Sequence, residues 1–281
     1  MPELPEAELW RRSLSSALTG RRVTAFTSLQ PGFVRAPLRD PDGFAAGVVG
    51  RAVTDVERRG KQLLFRLDGE VAVTLGMGLW VRLELRPAPL EPPKGAELVF
   101  DSARSSAGRP AGGDSPSAGR LFLAITEIAL ANVRLGRYEP PAEPPPFDAL
   151  DTRLDGPRLA ALAPARAAVK AFLTDVRYVL GVGNGYSDAL LWQARVHPRR
   201  PCNSLAAGEW AAVAAALRAV LTAAFEAGGE SGFVGPRGRI GAYERPIHHH
   251  GGEPCPRCGS PLGSLTAGRR ETNFCPVCQP L

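Results

Sequence analysis

The chain has 281 residues, 44% hydrophobic and 22% charged, with a net charge of +6, which is typical of a soluble globular protein of about two domains and permits a polyanionic partner such as nucleic acid. No apolar stretch approaches the roughly 18–20 residues of a membrane span, and the acidic N-terminus excludes a secretory signal. We therefore expect a cytosolic protein whose five cysteines serve a metal site rather than disulfides.

The first half of the chain predicts one helix followed by many strands. The helix covers 5–18, because Pro5 suits the first helical position and Gly20 ends an apolar stripe at helical spacing. Strand-like segments separated by Gly and Pro follow at 23–27, 52–58, 62–67, 71–75, 80–85, 97–100, 121–126 and 129–135. This order predicts a domain over 1–138 that is a β-sandwich or a barrel, the sandwich being preferred, with a mobile Ser/Gly-rich loop at 102–119.

The second half predicts a helical domain and a short C-terminal domain. A Pro-rich linker over 139–147 separates the halves. Helices are expected at 155–163, 165–173, 175–180, 186–194 and 205–227, within a domain covering 148–228. The remainder, 229–281, has too few apolar residues for a hydrophobic core of its own and needs a crosslink such as a bound metal ion to hold it folded. The fold class is therefore α+β and multidomain.

Four cysteines near the C-terminus have the spacing of a zinc site. Cys255 and Cys258 form one CxxC knuckle, and Cys275 and Cys278 form the second after sixteen residues. Four thiolates close a tetrahedral coordination sphere, so we expect one structural Zn²⁺ that staples a β-hairpin with 268–272 at its tip. A redox pair is disfavoured because no CxxC opens a helix in an α/β unit. Cys202 is expected to be an unreactive buried or loop thiol.

Three further features could serve a polyanionic partner. The Gly-rich turn at 181–186 can present backbone N–H groups to a phosphate, although such turns also serve packing alone. The run 248–250 is three histidines, for which phosphate contact or surface exposure is preferred to metal binding. Only three lysines occur, so Lys61 is a candidate for a role that arginine cannot fill, whereas Lys94 and Lys170 are attributed to chance.

The N-terminus offers a nucleophile. If Met1 is removed, Pro2 carries a secondary amine that is partly neutral near pH 7 and can attack an electrophilic carbon to form an iminium ion. Glu3 and Glu6 are carboxyl groups close along the chain that could protonate a departing group. The alternative is a helix-capping cluster without chemistry.

Five segments in this order resemble the formamidopyrimidine-DNA glycosylase / endonuclease VIII family, and the resemblance spans the chain. They lie at 1–8, 59–65, 75–77, 181–188 and 272–279. The Leu-Gly-Met at 75–77 resembles the formamidopyrimidine branch. The resemblance implies a helix-two-turn-helix domain between the N-terminal sandwich and the zinc hairpin.

The resemblance also implies a bifunctional DNA glycosylase and AP lyase of base excision repair that acts on a flipped-out nucleotide. Pro2 would attack the sugar C1′ and displace the base, and Glu3 would protonate the opening sugar ring, with Glu6 beside them. Lys61 would contact phosphate and assist β-elimination, and Arg270 would clamp the flanking phosphate and assist the second elimination.

The implied partner is double-stranded DNA containing damaged bases or abasic sites, bound by a monomer without a membrane, in the cytoplasm and at the nucleoid if the source is a bacterium. Met77 would fill the gap left by the flipped base, and Asn184 would hold a phosphate. The remaining implied DNA contacts are Arg134, Tyr186 and Arg269.

Departures from the family pattern leave the substrate open. The usual intercalating arginine and phenylalanine align with Val133 and Leu135, and an expected acid is Ala189. Oxidised purines are the first choice of substrate, with weak discrimination of the opposite base because apolar side chains cannot hydrogen-bond it. The alternatives are a glycosylase for bulky or crosslinked lesions and a catalytically silent damaged-DNA-binding protein.

Overall fold

The computed structural model describes residues 2–30, 32–78, 80–101, 119–129, 131–140, 146–267 and 270–281. They form two compact units. The first comprises Met1–Pro2, Glu6–Pro140 and Gly232–Gly241, and the second comprises Glu3–Pro5, Pro141–Ser231 and Ala242–Leu281. The predicted domain 229–281 is thus shared between the units, and the domain bounds remain a prediction.

The first unit is built from two antiparallel sheets. Its elements are α1 (Leu4–Leu18), β1 (Val23–Ser28), α2 (Pro41–Val48), β2 (Val53–Arg59), β3 (Gln62–Leu67), β4 (Val71–Gly76), β5 (Trp80–Arg86), β6 (Ala96–Phe100), β7 (Leu121–Ala129) and β8 (Asn132–Arg137). The strand orders are β1-β6-β7-β5 and β2-β3-β4-β8. Both sheets contribute to one hydrophobic core, as expected for a β-sandwich.

Register places the apolar side chains of the second sheet on one face. Leu63 pairs with Leu75, which pairs in turn with Val133, and none of the three is more than 1% exposed. Because side chains alternate between the faces of a strand, this register fixes which residues enter the core.

The second unit is mainly helical. Its elements are β9 (Phe147–Asp148), α3 (Gly156–Leu162), α4 (Val169–Leu173), β10 (Val179–Leu180), α5 (Asn184–Ala194), α6 (Ala207–Glu226), β11 (Gly263–Ala267) and β12 (Arg270–Phe274). β9 and β10 pair in parallel, and β11 and β12 form an antiparallel hairpin. A separate core of helical side chains also includes Leu4.

Four points of the sequence analysis are corrected here or fall outside the described residues. α2 was missed, although Asp40 accepts a hydrogen bond from Gly43 N–H at 2.5 Å and Pro41 opens the helix. The expected helix at 175–180 is a turn leading into β10, because the Asp175 carboxylate accepts from the Arg177 backbone N–H. The expected hairpin tip at 268–272 is wrong from residue 270 onward, where β12 begins. The expected mobile loop lies almost wholly outside the described residues.

Helix α6 contains a longer apolar segment than the sequence analysis expected. Among the described residues it is the one helix long and apolar enough to cross a membrane by length and composition, so the expectation that no stretch approaches that length is wrong for α6. One such helix is weak evidence for a span, since core helices pass the same test. The buried residues of α6, including Trp210 and Leu217, belong to the core of the second unit.

Replacing Leu217 with alanine tests this core assignment. Leu217 is fully buried, so truncation leaves a cavity and should lower the free energy of unfolding by about 2–5 kcal/mol. Thermal unfolding of the purified protein without detergent measures the change. The exposed Thr222→Ala in the same helix serves as the control, and an unchanged melting temperature for Leu217→Ala would contradict the assignment.

Candidate active site and zinc centre

The four predicted zinc ligands lie together. The Sγ atoms of Cys255, Cys258, Cys275 and Cys278 all lie within 4.8 Å of one another, and those of Cys258 and Cys275 are 3.5 Å apart. A tetrahedral site with Zn–S bonds of about 2.3 Å places its sulfurs about 3.8 Å apart. The donor set therefore fits one structural zinc, and four thiolates leave no open position for catalysis.

Helix α5 supports the first knuckle. The Trp192 indole N–H donates to Cys255 Sγ at 3.4 Å, and the Arg257 guanidinium lies 4.1 Å from the indole ring centre while donating to the Trp192 carbonyl at 3.0 Å. Burial disfavours the Cys255 thiolate, but the Trp192 and backbone N–H donors lower the pKa of this thiol to about 6. Burial raises the pKa of Cys202 to about 11, so this fifth cysteine is an unreactive buried thiol.

Glu3 is held in place by the N-terminus of α5. Its side chain is fully buried, and its Oε1 accepts a hydrogen bond from Gly185 N–H at 3.1 Å. The next residue, Leu4, packs against Gly181, where a Cβ would lie 2.4 Å from Leu4 Cδ1 and where φ is +102°. Gly181 is therefore required by both conformation and space. The Gly-rich turn, predicted to bind phosphate, contributes one of its N–H groups to a carboxylate of the chain itself.

Lys61 stands at the tip of the β2–β3 hairpin. Arg59 pairs with Gln62, so Gly60 and Lys61 are the two loop residues. Gly60 has φ of +59° and Lys61 does not have a positive φ, the pattern of a type II′ turn that needs glycine first. Lys61 is half-buried. Pro2 and Glu6 belong to the same unit, and both are buried.

A buried charge cluster in the second unit was not anticipated. The Lys170 ammonium pairs with Asp188 and donates to Thr272 Oγ1 at 2.7 Å, with all three side chains at most 3% exposed. Burial lowers the pKa of Lys170, and Asp188 opposes that shift; Glu3 and Arg270 also act on Lys170 electrostatically. Attributing Lys170 to chance was therefore wrong, and the scarcity of lysine was the signal that could have found it.

The histidine run divides between core and surface. His248 is 5% exposed, and its Nδ1 lies 2.6 Å from Asp188 Oδ2, so phosphate contact or surface exposure was the wrong interpretation for this residue. His249 is exposed, and His250 Nδ1 lies 3.0 Å from Glu253 Oε2.

The predicted DNA-contact residues of the second unit differ in how far their side chains are exposed. Tyr186 is wrong as a side-chain contact, because it is fully buried and stacks on Tyr243 with ring centres 5.8 Å apart. Asn184 donates its amide to the Glu271 carbonyl at 2.9 Å. Arg270 is exposed at the start of β12, and Arg269 lies outside the described residues.

The residues expected to enter the DNA are mostly in the core of the first unit. Val133 is 1% exposed and Met77 is 2% exposed, and the half-buried Leu135 packs against the same core. Val133 therefore does not form part of the expected apolar wedge, since the strand register buries it, whereas Leu135 as a wedge residue stays a prediction. Arg134 points the other way from the strand and is exposed, so it is available to contact DNA. Met77 as a gap-filling residue stays a prediction.

Family models match most of the chain. They are the formamidopyrimidine-DNA glycosylase N-terminal domain over residues 1–109, the formamidopyrimidine-DNA glycosylase H2TH domain over 148–234, and the zinc finger found in FPG and IleRS over 252–281. The chain belongs to the formamidopyrimidine-DNA glycosylase family. The predicted family, fold class and structural zinc are thereby confirmed.

Individual relatives match this chain over nearly their full length. Proteins named formamidopyrimidine-DNA glycosylase from a Nocardioides species and from Geobacter sulfurreducens are 36% and 35% identical, covering 100% and 99% of this chain and 95% and 100% of those proteins. The crystal structure of the MutM (Fpg) protein of Thermus thermophilus matches with a TM-score of 0.77 at 30% identity, over 99% of this chain and 98% of that one. A complex of Lactococcus lactis Fpg with DNA containing an abasic site shares the fold, with a TM-score of 0.79 at 23% identity over 99% and 100% of the chains.

Replacing Asp188 with asparagine should unfold the second unit more easily. The change leaves the Lys170 ammonium buried without a counter-charge, which costs about 3–5 kcal/mol. The control is Asp175→Asn, which removes an ion pair with the exposed Arg177 and should change the melting temperature far less, because water already solvates that pair. Thermal unfolding of both variants measures the difference, and equal melting temperatures would contradict the importance of the buried pair.

Chelating the zinc should abolish DNA binding while the first unit stays folded. The only core around the knuckles in the described residues is a small cluster that includes Ile247 and Leu262 with two of the cysteines, so metal binding supplies the folding free energy of this segment. Metal analysis should give one zinc per chain, and Cys202→Ala should keep it. A metal-free preparation that binds DNA normally would refute this.

Proposed function

We propose that this chain is a bifunctional DNA glycosylase and AP lyase that excises damaged bases, oxidised purines first, from double-stranded DNA. Family membership supports the glycosylase class. The observation that carries the proposal is the Glu3 carboxylate, which is buried, held by Gly185 N–H and covalently next to Pro2. A cluster serving only to cap a helix has no need for a carboxylate fixed on a second helix.

The proposed reaction starts at the nitrogen of Pro2 after removal of Met1. The secondary amine attacks C1′ of the flipped nucleotide, and the bonding electrons of the glycosidic bond leave with the base, which takes up a proton. Glu3 protonates the ring oxygen O4′ as the sugar opens, which leaves an iminium ion between Pro2 and C1′.

Two eliminations then cleave the strand. Loss of a C2′ proton and of the 3′ phosphate gives β-elimination, for which Lys61 would contact phosphate and assist proton transfer. In the second elimination the C4′ proton is lost, the C5′–O bond breaks and the 5′ phosphate leaves. Arg270 would clamp that phosphate, because its planar guanidinium binds phosphate through two parallel hydrogen bonds. Water hydrolyses the iminium ion and releases the enzyme.

Under the same proposal, the partner is duplex DNA with damaged bases or abasic sites, and the protein is a monomer. Its location is the bacterial cytoplasm at the nucleoid. The specialised alternative for bulky lesions rested on a smaller apolar wedge. Because Val133 is in the core, that argument no longer supports it, and the basis for weak opposite-base discrimination is likewise removed. Arg134 remains the candidate to read the opposite base.

Borohydride reduction tests the amine mechanism. Only an iminium ion can be reduced to a stable crosslink, so processed protein should crosslink to abasic DNA at residue 2, and protein that retains Met1 should not, since its proline nitrogen lies in an amide. Mass spectrometry of the crosslinked peptide locates the bond. No crosslink from correctly processed protein would overturn the enzyme proposal and favour a DNA-binding protein.

Two variants separate the steps in the same assay. Pro2→Gly keeps a terminal amine and should retain part of the strand cleavage while losing most base removal. Glu3→Gln should lose base excision yet still nick preformed abasic sites, because ring protonation matters most while the base is attached.

A further inference from the structure

Glu8 is the centre of a charge cluster that the proposed reaction does not use. It lies on α1 and is 7% exposed. Arg11 donates to both of its carboxylate oxygens at 2.9 Å, Arg12 donates at 3.0 Å, and Arg58 donates from Nε at 3.1 Å. Burial alone would raise the pKa of Glu8, but the hydrogen bonds from the three arginines lower it to about 2. The carboxylate is therefore charged at every pH at which a DNA enzyme works.

Arg58 links this carboxylate to the hairpin that carries Lys61. Its side chain is 8% exposed, and its Nη1 donates to the Gly60 carbonyl oxygen at 2.8 Å. One guanidinium thus contacts Glu8 through one nitrogen and the two-residue turn through another. The contact is to the loop residue immediately before Lys61, so it constrains the peptide plane from which Lys61 extends.

The other two arginines bind Glu8 from within its own helix. Arg11 and Arg12 follow Glu8 at spacings of three and four residues, at which side chains on one helix are neighbours and stabilise that helix locally. Arg58 comes instead from β2, fifty residues away along the chain, and is the least exposed of the three. It therefore joins α1 to a distant strand, which is a different role from the local stabilisation of α1.

We propose that Glu8 and Arg58 are a positioning pair that fixes the Gly60–Lys61 turn on α1 and so sets where the Lys61 ammonium stands. α1 follows directly after Pro2 and Glu3, so the pair ties Lys61 to the segment that bears the nucleophile. The inference deepens the proposed function and rests on it for its activity readout. Loss of the Glu8 charge, or of one of the two contacts of Arg58, should let the turn move.

The test compares variants of the pair with a solvent-exposed ion pair at another hairpin of the first unit. Glu8→Gln keeps the shape of the side chain and removes its charge, and Arg58→Lys keeps the charge but has a single nitrogen for two separated acceptors. Glu70→Gln is the control, because Glu70 accepts two hydrogen bonds from Arg137 beside another hairpin turn, with both side chains exposed. All variants are first compared by thermal unfolding.

The activity readout is the single-turnover rate of base excision, with and without Lys61→Ala. A displacement of about 1 Å at a reacting group can cost up to about 100-fold in rate, so we expect about 10- to 100-fold slower excision for Glu8→Gln and Arg58→Lys. The control should match the unaltered protein. In the Lys61→Ala background, Glu8→Gln should cause no further loss, since the group that it positions is gone.

The second readout does not depend on activity. Hydrogen exchange of the peptide covering 60–62 should be faster in Glu8→Gln than in Glu70→Gln, whereas peptides of β6 should be unchanged. Unaltered exchange at the turn, or a rate loss that multiplies with that of Lys61→Ala, would overturn the positioning role. If the unaltered protein excises no base, the proposed function fails, and the exchange comparison alone decides whether the pair holds the turn.

Discussion

The second unit depends on keeping one ammonium group charged in a site from which water is excluded. Burying an unpaired ion costs several kcal/mol, a large part of the roughly 5–15 kcal/mol by which a typical domain is stable. Lys170 escapes this cost because Asp188 and Thr272 surround it. These residues come from α4, α5 and β12, and His248 reaches Asp188 from the segment before the first knuckle. The buried cluster therefore links two helices, the zinc hairpin and the segment before the first knuckle.

The arrangement of the acceptor atoms explains where this arginine-rich chain uses lysine instead of arginine. The guanidinium of Arg58 is planar and carries several N–H groups. It can therefore donate to the Glu8 carboxylate and to the Gly60 carbonyl oxygen at the same time. Lys170 occupies a closed space between a carboxylate and a hydroxyl, which a compact ammonium fits. Lys61 stands on a two-residue turn, and its single charged atom lies at the end of a flexible four-carbon stem.

Features encoded by local spacing could be predicted, and features created by distant contacts could not. The cysteine knuckles, α1 and most strands of the sandwich follow from patterns within a few residues. The pairing of Lys170 with Asp188 joins residues eighteen positions apart, and His248 joins from sixty positions away. Alignment of a sequence motif predicted that Val133 contacts DNA. The sheet register instead places its side chain in the hydrophobic core. α2 was predictable in principle, because Asp40 and Pro41 form a standard helix start.

Trp192 has a consequence for how the protein can be observed. Its indole N–H faces a cysteine sulfur of the metal centre, and an arginine covers its ring. Indole emission responds to hydrogen bonding and to adjacent sulfur, so the fluorescence of this side chain depends on whether Cys255 is bound to metal or is a free thiol. The chain has four tryptophans, and Trp192 is placed where its emission can report metal occupancy without a dye or a label.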